Sequence, residues 1–203
     1  MADEVLIYIS AASDLEYERE VLAKAIAEIP TSLGWKVAQT PLDDAEPDLI
    51  EVANANLHLL LLGCDVRAPV GLEWRIAHRA GHPPRLLLKQ DVLRTQAGQA
   101  FMNELSRTAA WEPFGDAADL RRKALRILVD HIASNAVEYR IPLEELERLS
   151  AWQKEAFKPG KKTAQEPTRG GAGDSAVILS TERFTPSQGK LIKDGRGRDG
   201  GKR

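Results

Sequence analysis

The run Leu57–Leu62 (LHLLLL) is the feature that most restricts the fold of this chain. Five of its six side chains are leucine and His58 is the one interruption, and so short an apolar run is typical of a strand buried on both sides of a sheet. Strands of that kind belong to parallel sheets whose connecting helices cover both faces. The sequence therefore predicts an α/β protein with Leu57–Leu62 as a central strand.

Further strand patterns lie on either side of this run. The apolar segments Glu4–Ser10 and Arg85–Lys89 predict two more buried strands. Residues 35–39 alternate like a strand nearer an edge, and Trp111–Phe114 predicts a short last strand. Pro113 places that last strand at an edge of the sheet, because proline cannot donate a ladder hydrogen bond.

Helix patterns separate the strands. Ser13 and Glu16 have the spacing of a capping box, and Gly81 is a typical stop signal. Short connections between alternating strands and helices predict a flavodoxin-like parallel sheet of order 2-1-3-4-5 with helices on both faces. The predicted helices span residues 13–30, 48–54, 71–80, 99–108 and 120–132.

The chain divides into segments of different character. Residues 1–140 are predicted to form the α/β domain, and residues 141–157 a C-terminal helix that begins after Pro142. Residues 158–174 have the composition of a linker. Residues 175–203 predict a short hairpin-like segment followed by a flexible basic tail.

Charge is unevenly distributed along the chain. Residues 1–157 carry 17 Lys and Arg against 25 Asp and Glu, whereas residues 158–203 carry 11 against 5. The basic end is either a solvated flexible tail or a segment that recruits a protein partner. Nucleic-acid binding is the weaker interpretation, because Phe184 is the one aromatic residue available for stacking.

Sequence signals also predict a cellular compartment. Cys64 is the single cysteine, which excludes an internal disulfide framework and fits a reducing environment. The first residues carry acid where a signal peptide would be basic, and the longest apolar run is far shorter than a membrane span. We expect a soluble cytoplasmic protein that has no contact with membranes.

A ligand site is expected at the carboxyl edge of the sheet. In an open parallel sheet, ligands bind where the strand order reverses, here between the segments that follow the first and third strands. The first segment holds Ser10, Ser13 and Asp14, which suit a phosphate or ribose near a helix N-terminus. The same residues serve equally well as helix caps.

Glu73 is the candidate catalytic residue. The predicted helix over residues 71–80 places it in the first turn, where the helix dipole favours the ionised carboxylate. Such a carboxylate, facing a hollow between the two segments, can attack or stabilise an oxocarbenium-like sugar centre. The alternative is a first-turn acid that only stabilises the helix, by about 0.3–1 kcal/mol.

Three nearby residues are weaker candidates for substrate binding. Asp65 can orient a ribose hydroxyl and Arg67 can meet a phosphate, although both can equally be exposed loop residues. Trp74 can stack on a base, although core packing is the more frequent role of such a residue. No metal site or bound cofactor is predicted, since Gly81 ends the helix between His78 and His82.

Three segments resemble the TIR-like superfamily. They are SAASDLEYERE after the first strand, the third strand with Gly63, and the run GLEWRIAHRAGHPP that contains Glu73. The likeness covers about residues 4–136 and is closest to TIR-like domains at the front of bacterial signalling and conflict NTPases. The Glu73 run also resembles nucleoside deoxyribosyltransferases. Residues 64–67 (CDVR) replace the aromatic–glycine pair of closer relatives.

The resemblance implies a flavodoxin-like fold and an activity. In active members, a glutamate on the helix after the third strand cleaves the N-glycosidic bond of NAD or a nucleoside. By motif position this role falls to Glu73, with Ser10, Ser13 and Asp14 as ligand contacts. NAD is then a substrate and not a cofactor, and self-association is expected. The alternative is a non-catalytic interaction module that recruits a partner through residues 158–203.

Overall fold

A computed structural model of the protein describes residues 4–41 and 45–157. The predicted linker at residues 158–174 and the predicted hairpin-like segment and tail at residues 175–203 lie outside the described residues. None of the helices in the two described ranges is long and apolar enough to cross a membrane.

The described residues form a five-stranded sheet in which all strands are parallel. The strand order is β2-β1-β3-β4-β5, which confirms the predicted flavodoxin-like arrangement. β1 and β3 lie side by side at the point where the order reverses. The strands are β1 (Glu4–Ser10), β2 (Gly34–Gln39), β3 (Leu57–Leu62), β4 (Arg85–Lys89) and β5 (Trp111–Phe114).

Within residues 4–41 and 45–157, six α-helices connect or follow these strands. A short 3-10 turn at Ser13–Leu15 precedes the first of them. The helices are α1 (Glu16–Ala27), α2 (Leu49–Asn54), α3 (Ala68–Arg79), α4 (Gln96–Leu105), α5 (Ala117–Ser134) and α6 (Leu143–Ala156).

Several predicted helix starts are wrong: α4 and α5 each begin three residues before the predicted positions, and the differences at α1 and α3 affect the site. The capping box is absent, because Ser13 opens the 3-10 turn and no side chain caps either that turn or α1. α3 begins at Ala68, three residues before the predicted start at residue 71. Pro69 suits its first turn, where a backbone N–H would have no partner within the helix and its absence costs nothing. Glu73 consequently lies in the second turn of α3, where the helix dipole contributes little.

Side chains alternate between the two faces of the sheet. Ile7 and Ile9 of β1 lie in the main apolar core, which also holds buried residues of α1 and α5. Tyr8 faces the other way and packs with buried residues of α2 and α3. Ser10, two positions further along β1, is fully buried on the same side as Tyr8. This second face, at the carboxyl edge, carries the candidate site.

α6 is attached to the α/β core by apolar and polar contacts. Leu149 is buried in the main core, and Trp152 packs against it. Glu145 is 4 % exposed and accepts hydrogen bonds from the hydroxyls of Thr31 and Ser32, both at 2.8 Å, and from the Ser32 amide at 2.5 Å. The Ser32 amide leads the contacts that lower the pKa of Glu145. The carboxylate therefore fastens α6 to the segment before β2.

Replacing Glu145 with glutamine is expected to destabilise the fold by about 1–3 kcal/mol at neutral pH, because hydrogen bonds to a charged acceptor are lost. The folded pKa lies below the unfolded value of 4.5. The stabilisation is therefore complete above that value and is lost as pH falls through the folded pKa. Denaturant unfolding of wild type and variant should show a stability difference that shrinks in acid.

The exposed neighbour Glu144 offers a matched control. Glu144→Gln removes the same charge from the same turn of α6 and should change stability by less than about 0.5 kcal/mol. A Glu145→Gln effect no larger than this control, or one that does not vary with pH, would contradict the proposed attachment.

Candidate functional site

Glu73 reaches the carboxyl edge of the sheet from α3. Val70, Glu73 and Ala77 form the buried stripe of this helix at the expected helical spacing. Glu73 is 0 % exposed. Its aliphatic stem thus crosses the apolar layer between α3 and the sheet, and its carboxylate meets polar groups from the ends of two strands.

Three hydroxyl groups donate hydrogen bonds to the Glu73 carboxylate. Tyr8 Oη donates to Oε1 at 2.8 Å, and Ser10 Oγ donates to Oε2 at 2.5 Å. Thr40 Oγ1 donates to the same Oε2 at 2.7 Å. Because a carboxylate that receives three O–H donors acts only as an acceptor, this arrangement fits the ionised form.

The phenol of Tyr8 responds to this neighbour. Burial raises the pKa of Tyr8, and the charge of Glu73 together with its hydrogen bond raises it further. The phenol therefore stays protonated at every physiological pH and remains a donor to the carboxylate.

Hydrogen bonds to β1 and to the residue that follows it fix the position of Thr40. It follows the last residue of β2, and its amide donates to Ile9 O at 3.1 Å. Its hydroxyl accepts a hydrogen bond from the Ala11 amide at 3.2 Å while donating to Glu73. Because the Ala11 amide occupies an acceptor site of the oxygen, the Thr40 proton is directed at the carboxylate.

Arg19 supplies a buried positive charge to the same region. It is 3 % exposed on α1, donates from Nη2 to Thr40 O, and donates from Nε to Gln39 Oε1 at 3.1 Å. Burial lowers the pKa of Arg19, and the charge of Glu73 opposes that effect. Since an arginine remains charged in proteins, Arg19 compensates part of the buried negative charge of Glu73.

His58 adds a second layer behind Ser10. Its Nε2 lies 2.7 Å from Ser10 Oγ, and the side chain is 2 % exposed. Burial lowers the pKa of His58 to about 3, so the ring is neutral at physiological pH. The imidazole also packs edge to face against Tyr8, with ring centroids 5.3 Å apart. Two of the three donors to Glu73 are thus in contact with one histidine.

The segments after β1 and β3 are joined by Asp14. Its Oδ2 accepts a hydrogen bond from the Cys64 amide at 2.7 Å. This hydrogen bond bridges the two segments, and the Glu73 carboxylate lies over the ends of β1 and β2. The expectation of an open hollow in front of Glu73 is therefore wrong for this structure, in which hydroxyl groups cover the carboxylate.

Gly63 permits this close approach. A Cβ added at Gly63 would lie 2.4 Å from Asp14 Oδ2 and 3.0 Å from Leu15 Cδ2. Gly63→Ala is expected to destabilise the protein by about 1–3 kcal/mol, because Asp14 and Leu15 must both move. Urea unfolding measures the loss.

Gly71→Ala is the control for that prediction. Gly71 lies within α3, and an added Cβ meets nothing within 4 Å. Alanine there should stabilise the protein by about 0.5–1 kcal/mol, because glycine is unfavourable inside a helix. If Gly63→Ala behaved like Gly71→Ala, the close contact with Asp14 would be refuted.

The other residues singled out in the sequence have surroundings of their own. Ser13 is exposed, and Arg67 stands at the N-cap of α3 without a capping side-chain bond. Asp65 accepts a hydrogen bond from Thr95 Oγ1 at 2.5 Å, and this bond is the main cause of the lowered pKa of Asp65. Trp74 stacks on His78 and packs with the apolar cluster that contains Leu60 and Leu86. Of the predicted set, the structure brings Ser10 into direct contact with Glu73.

The hydrogen-bond network around Glu73 contains four residues that had not been singled out from the sequence: Tyr8, Arg19, Thr40 and His58. Tyr8 and Arg19 resemble ordinary residues of a strand and a helix, and Thr40 lies beyond its strand. His58 could have been found from the sequence, because it is the one polar residue in an otherwise pure leucine strand. A polar side chain in a strand buried on both faces requires a polar partner inside the protein.

Two further observations delimit the site. Across residues 4–41 and 45–157, no group of three or more His, Cys, Asp or Glu side chains could hold a metal ion. A cleft of about 510 Å³ lies at the opposite, amino edge of the sheet, near Leu57, His82 and Arg85. It is separate from the carboxylate of Glu73.

Comparison of the chain with protein-family models and with curated proteins finds no match. The geometry of the site must therefore carry any functional conclusion.

Proposed function

We propose that the protein is a TIR-like N-glycosidase that acts on NAD or a related nucleotide, with Glu73 as the reacting carboxylate, in a bacterial signalling or defence system. The observation that carries the proposal is the buried carboxylate that receives three hydroxyl donors at the carboxyl edge of a parallel sheet. Burying a carboxylate is costly, and such groups concentrate at functional sites.

The proposed chemistry uses the carboxylate on the sugar carbon. As the bond from C1′ to the base nitrogen breaks, its electron pair leaves with the base and positive charge develops on the sugar. Glu73 stabilises that charge or forms a transient ester at C1′. A water oxygen then bonds to C1′, and the ester bond, where it has formed, breaks with its electron pair returning to the Glu73 carboxylate. The water proton passes to solvent when nicotinamide leaves NAD, or to the departing base of a neutral nucleoside, and the products are free base and the hydrolysed sugar.

Substrate binding requires an exchange of partners at Glu73. In the structure three hydrogen bonds, from Ser10, Thr40 and Tyr8, cover a carboxylate that is fully buried. Ribose hydroxyls are donors of the same kind, so they can replace protein hydroxyls without leaving the anion unsatisfied. In this proposal, hydroxyl exchange is what admits a sugar and excludes ligands that lack hydroxyl groups.

The proposal includes a setting and an assembled state. The protein acts in the cytoplasm, a reducing compartment in which Cys64 remains a free thiol. We propose self-association, and a protein partner for the basic segment at residues 158–203, which is opposite in charge to residues 1–157. This charge asymmetry also favours the second candidate function, a non-catalytic interaction module.

An assay for released base tests the first proposal against the second. The full-length chain is incubated at low and high concentration with NAD, NADP, ribonucleosides and 2′-deoxyribonucleosides, and free base is measured by chromatography. We expect nicotinamide release that rises more steeply than protein concentration. If no base appears from any substrate at the highest concentration, the enzyme proposal is wrong and the interaction module remains.

A further inference from the structure

His58 occupies a position that the proposed chemistry does not require. It lies on β3, where its neighbours along the strand are leucines, and it does not touch Glu73. Its hydrogen-bonded connection to the carboxylate passes through Ser10 Oγ, which lies 2.7 Å from His58 Nε2 and 2.5 Å from Glu73 Oε2. Its ring also contacts Tyr8, a second donor to Glu73. A buried histidine hydrogen-bonded in this way is either a space-filling core residue or a residue that influences the Glu73 carboxylate.

The direction of the hydrogen bonds follows from counting protons. A serine hydroxyl has a single proton, and Ser10 donates it to Glu73 Oε2. The contact with His58 must then be a donation from Nε2–H to Ser10 Oγ, because a second oxygen-bound proton does not exist. The imidazole is neutral, so Nδ1 carries no proton.

The surroundings of the second ring nitrogen agree with this assignment. Nδ1 of His58 is buried and has no hydrogen-bond partner among the described residues. A buried N–H without an acceptor is rarer than an unsatisfied lone pair, which favours the tautomer with the proton on Nε2. The edge-to-face contact with Tyr8 holds the ring in the orientation that points Nε2 at Ser10.

We infer that His58 is a positioning residue: its Nε2–H fixes the Ser10 hydroxyl so that the serine proton points at Glu73. With the opposite tautomer, Ser10 would donate to Nε2 instead, and Glu73 would lose one of its three donors. His58 thereby sets the donor count and the orientation of the carboxylate. Its effect on catalysis rests on the proposed function, whereas its tautomer does not.

The matched variants are His58→Gln and His58→Met. The glutamine Nε2 can donate to Ser10 from nearly the same place, whereas methionine has similar length and no donor. We expect His58→Met to lower kcat for base release by about 10-fold, because without the donor the Ser10 hydroxyl can turn away from Glu73. KM should change little, because His58 does not contact the sugar. His58→Gln should recover most of the lost rate.

The nitrogen chemical shifts of the histidine rings provide a test that is independent of activity. The signals of His58 are assigned as those missing from His58→Gln. We expect the Nε2–H tautomer at neutral pH, and a marked shift of both ring nitrogens in Ser10→Ala, where Nε2–H loses its acceptor.

The two measurements separate failure of this inference from failure of the proposed function. An Nδ1–H tautomer, or ring signals that Ser10→Ala leaves unchanged, would overturn the positioning role even in an active enzyme. Equal losses of kcat in His58→Met and His58→Gln would also overturn it, because the donor restored by glutamine would then make no difference and altered packing would account for both losses. If wild type releases no base but the Nε2–H tautomer and its response to Ser10→Ala are found, the positioning inference is supported and the N-glycosidase fails.

Discussion

Glu73→Gln is expected to reduce release of nicotinamide from NAD by at least about 10³-fold while leaving the protein folded. Glutamine keeps the size of the side chain and can still accept hydrogen bonds through its amide oxygen. It lacks the negative charge that stabilises or attacks the sugar carbon as the base departs. The loss should appear mainly in kcat, because the charge matters most in the transition state.

A second buried glutamate gives the control for this experiment. Glu145 is also buried and accepts hydrogen bonds from hydroxyls, but it lies on α6 and fastens that helix to the segment before β2. Glu145→Gln should lose stability and retain kcat at a temperature where it remains folded. Equal activities of the Glu73→Gln variant and wild type would refute the assignment of Glu73, as would an equal loss in both variants.

Arg19→Met is expected to have the largest effect on stability, about 3 kcal/mol. The substitution removes the donors to Thr40 O and to Gln39, and it leaves the buried charge of Glu73 without its nearby positive partner. Methionine fills much of the space of the arginine stem. The loss should therefore reflect charge and hydrogen bonding rather than a cavity, and denaturant unfolding measures it.

A double-mutant cycle isolates the electrostatic part of that effect. In Arg19→Met combined with Glu73→Gln no uncompensated charge remains, so the combined loss should be smaller than the sum of the single losses by at least about 1 kcal/mol. Lys24→Met, at an exposed lysine on α1, should change stability by less than about 0.5 kcal/mol. Additive losses in the cycle would mean that Arg19 and Glu73 do not interact.

The central strands could be predicted from the sequence because they satisfy one simple rule. Glu4–Ser10 and Leu57–Leu62 are short apolar runs, and runs of this kind can be buried only between two layers of helices. The order 2-1-3-4-5 followed from strand–helix alternation and the handedness of crossovers. These signals are local, so a single sequence was sufficient to find them.

Helix starts were less predictable because they depend on details of the backbone. The start of α3 at Ala68 is set by Pro69, whereas the apolar pattern begins only at Val70. This difference of a few residues moved Glu73 out of the first turn. Hydrogen bonds from β1 and from Thr40, and not the helix dipole, consequently determine its surroundings.

The composition of the site was only partly predictable for a geometric reason. Glu73 and Ser10 could be found because motif position and the carboxyl edge of the sheet point to them. Tyr8 and Arg19 could not be found in this way. Tyr8 faces Glu73 from within β1, and Arg19 lies on α1 and reaches only the end of β2, through Gln39 and Thr40. Sequence spacing does not tell which side chains of different elements converge on one carboxylate.

The network around Glu73 depends on segments that are far apart along the chain. The carboxylate meets partners 33, 63 and 65 residues away, and the serine among them meets its histidine 48 residues away. Each of these contacts carries a loop-closure cost and requires β1, β2 and α3 to be packed together. Under the proposed function, a copy in which these segments have not yet packed would not consume a nucleotide needed by its own cell.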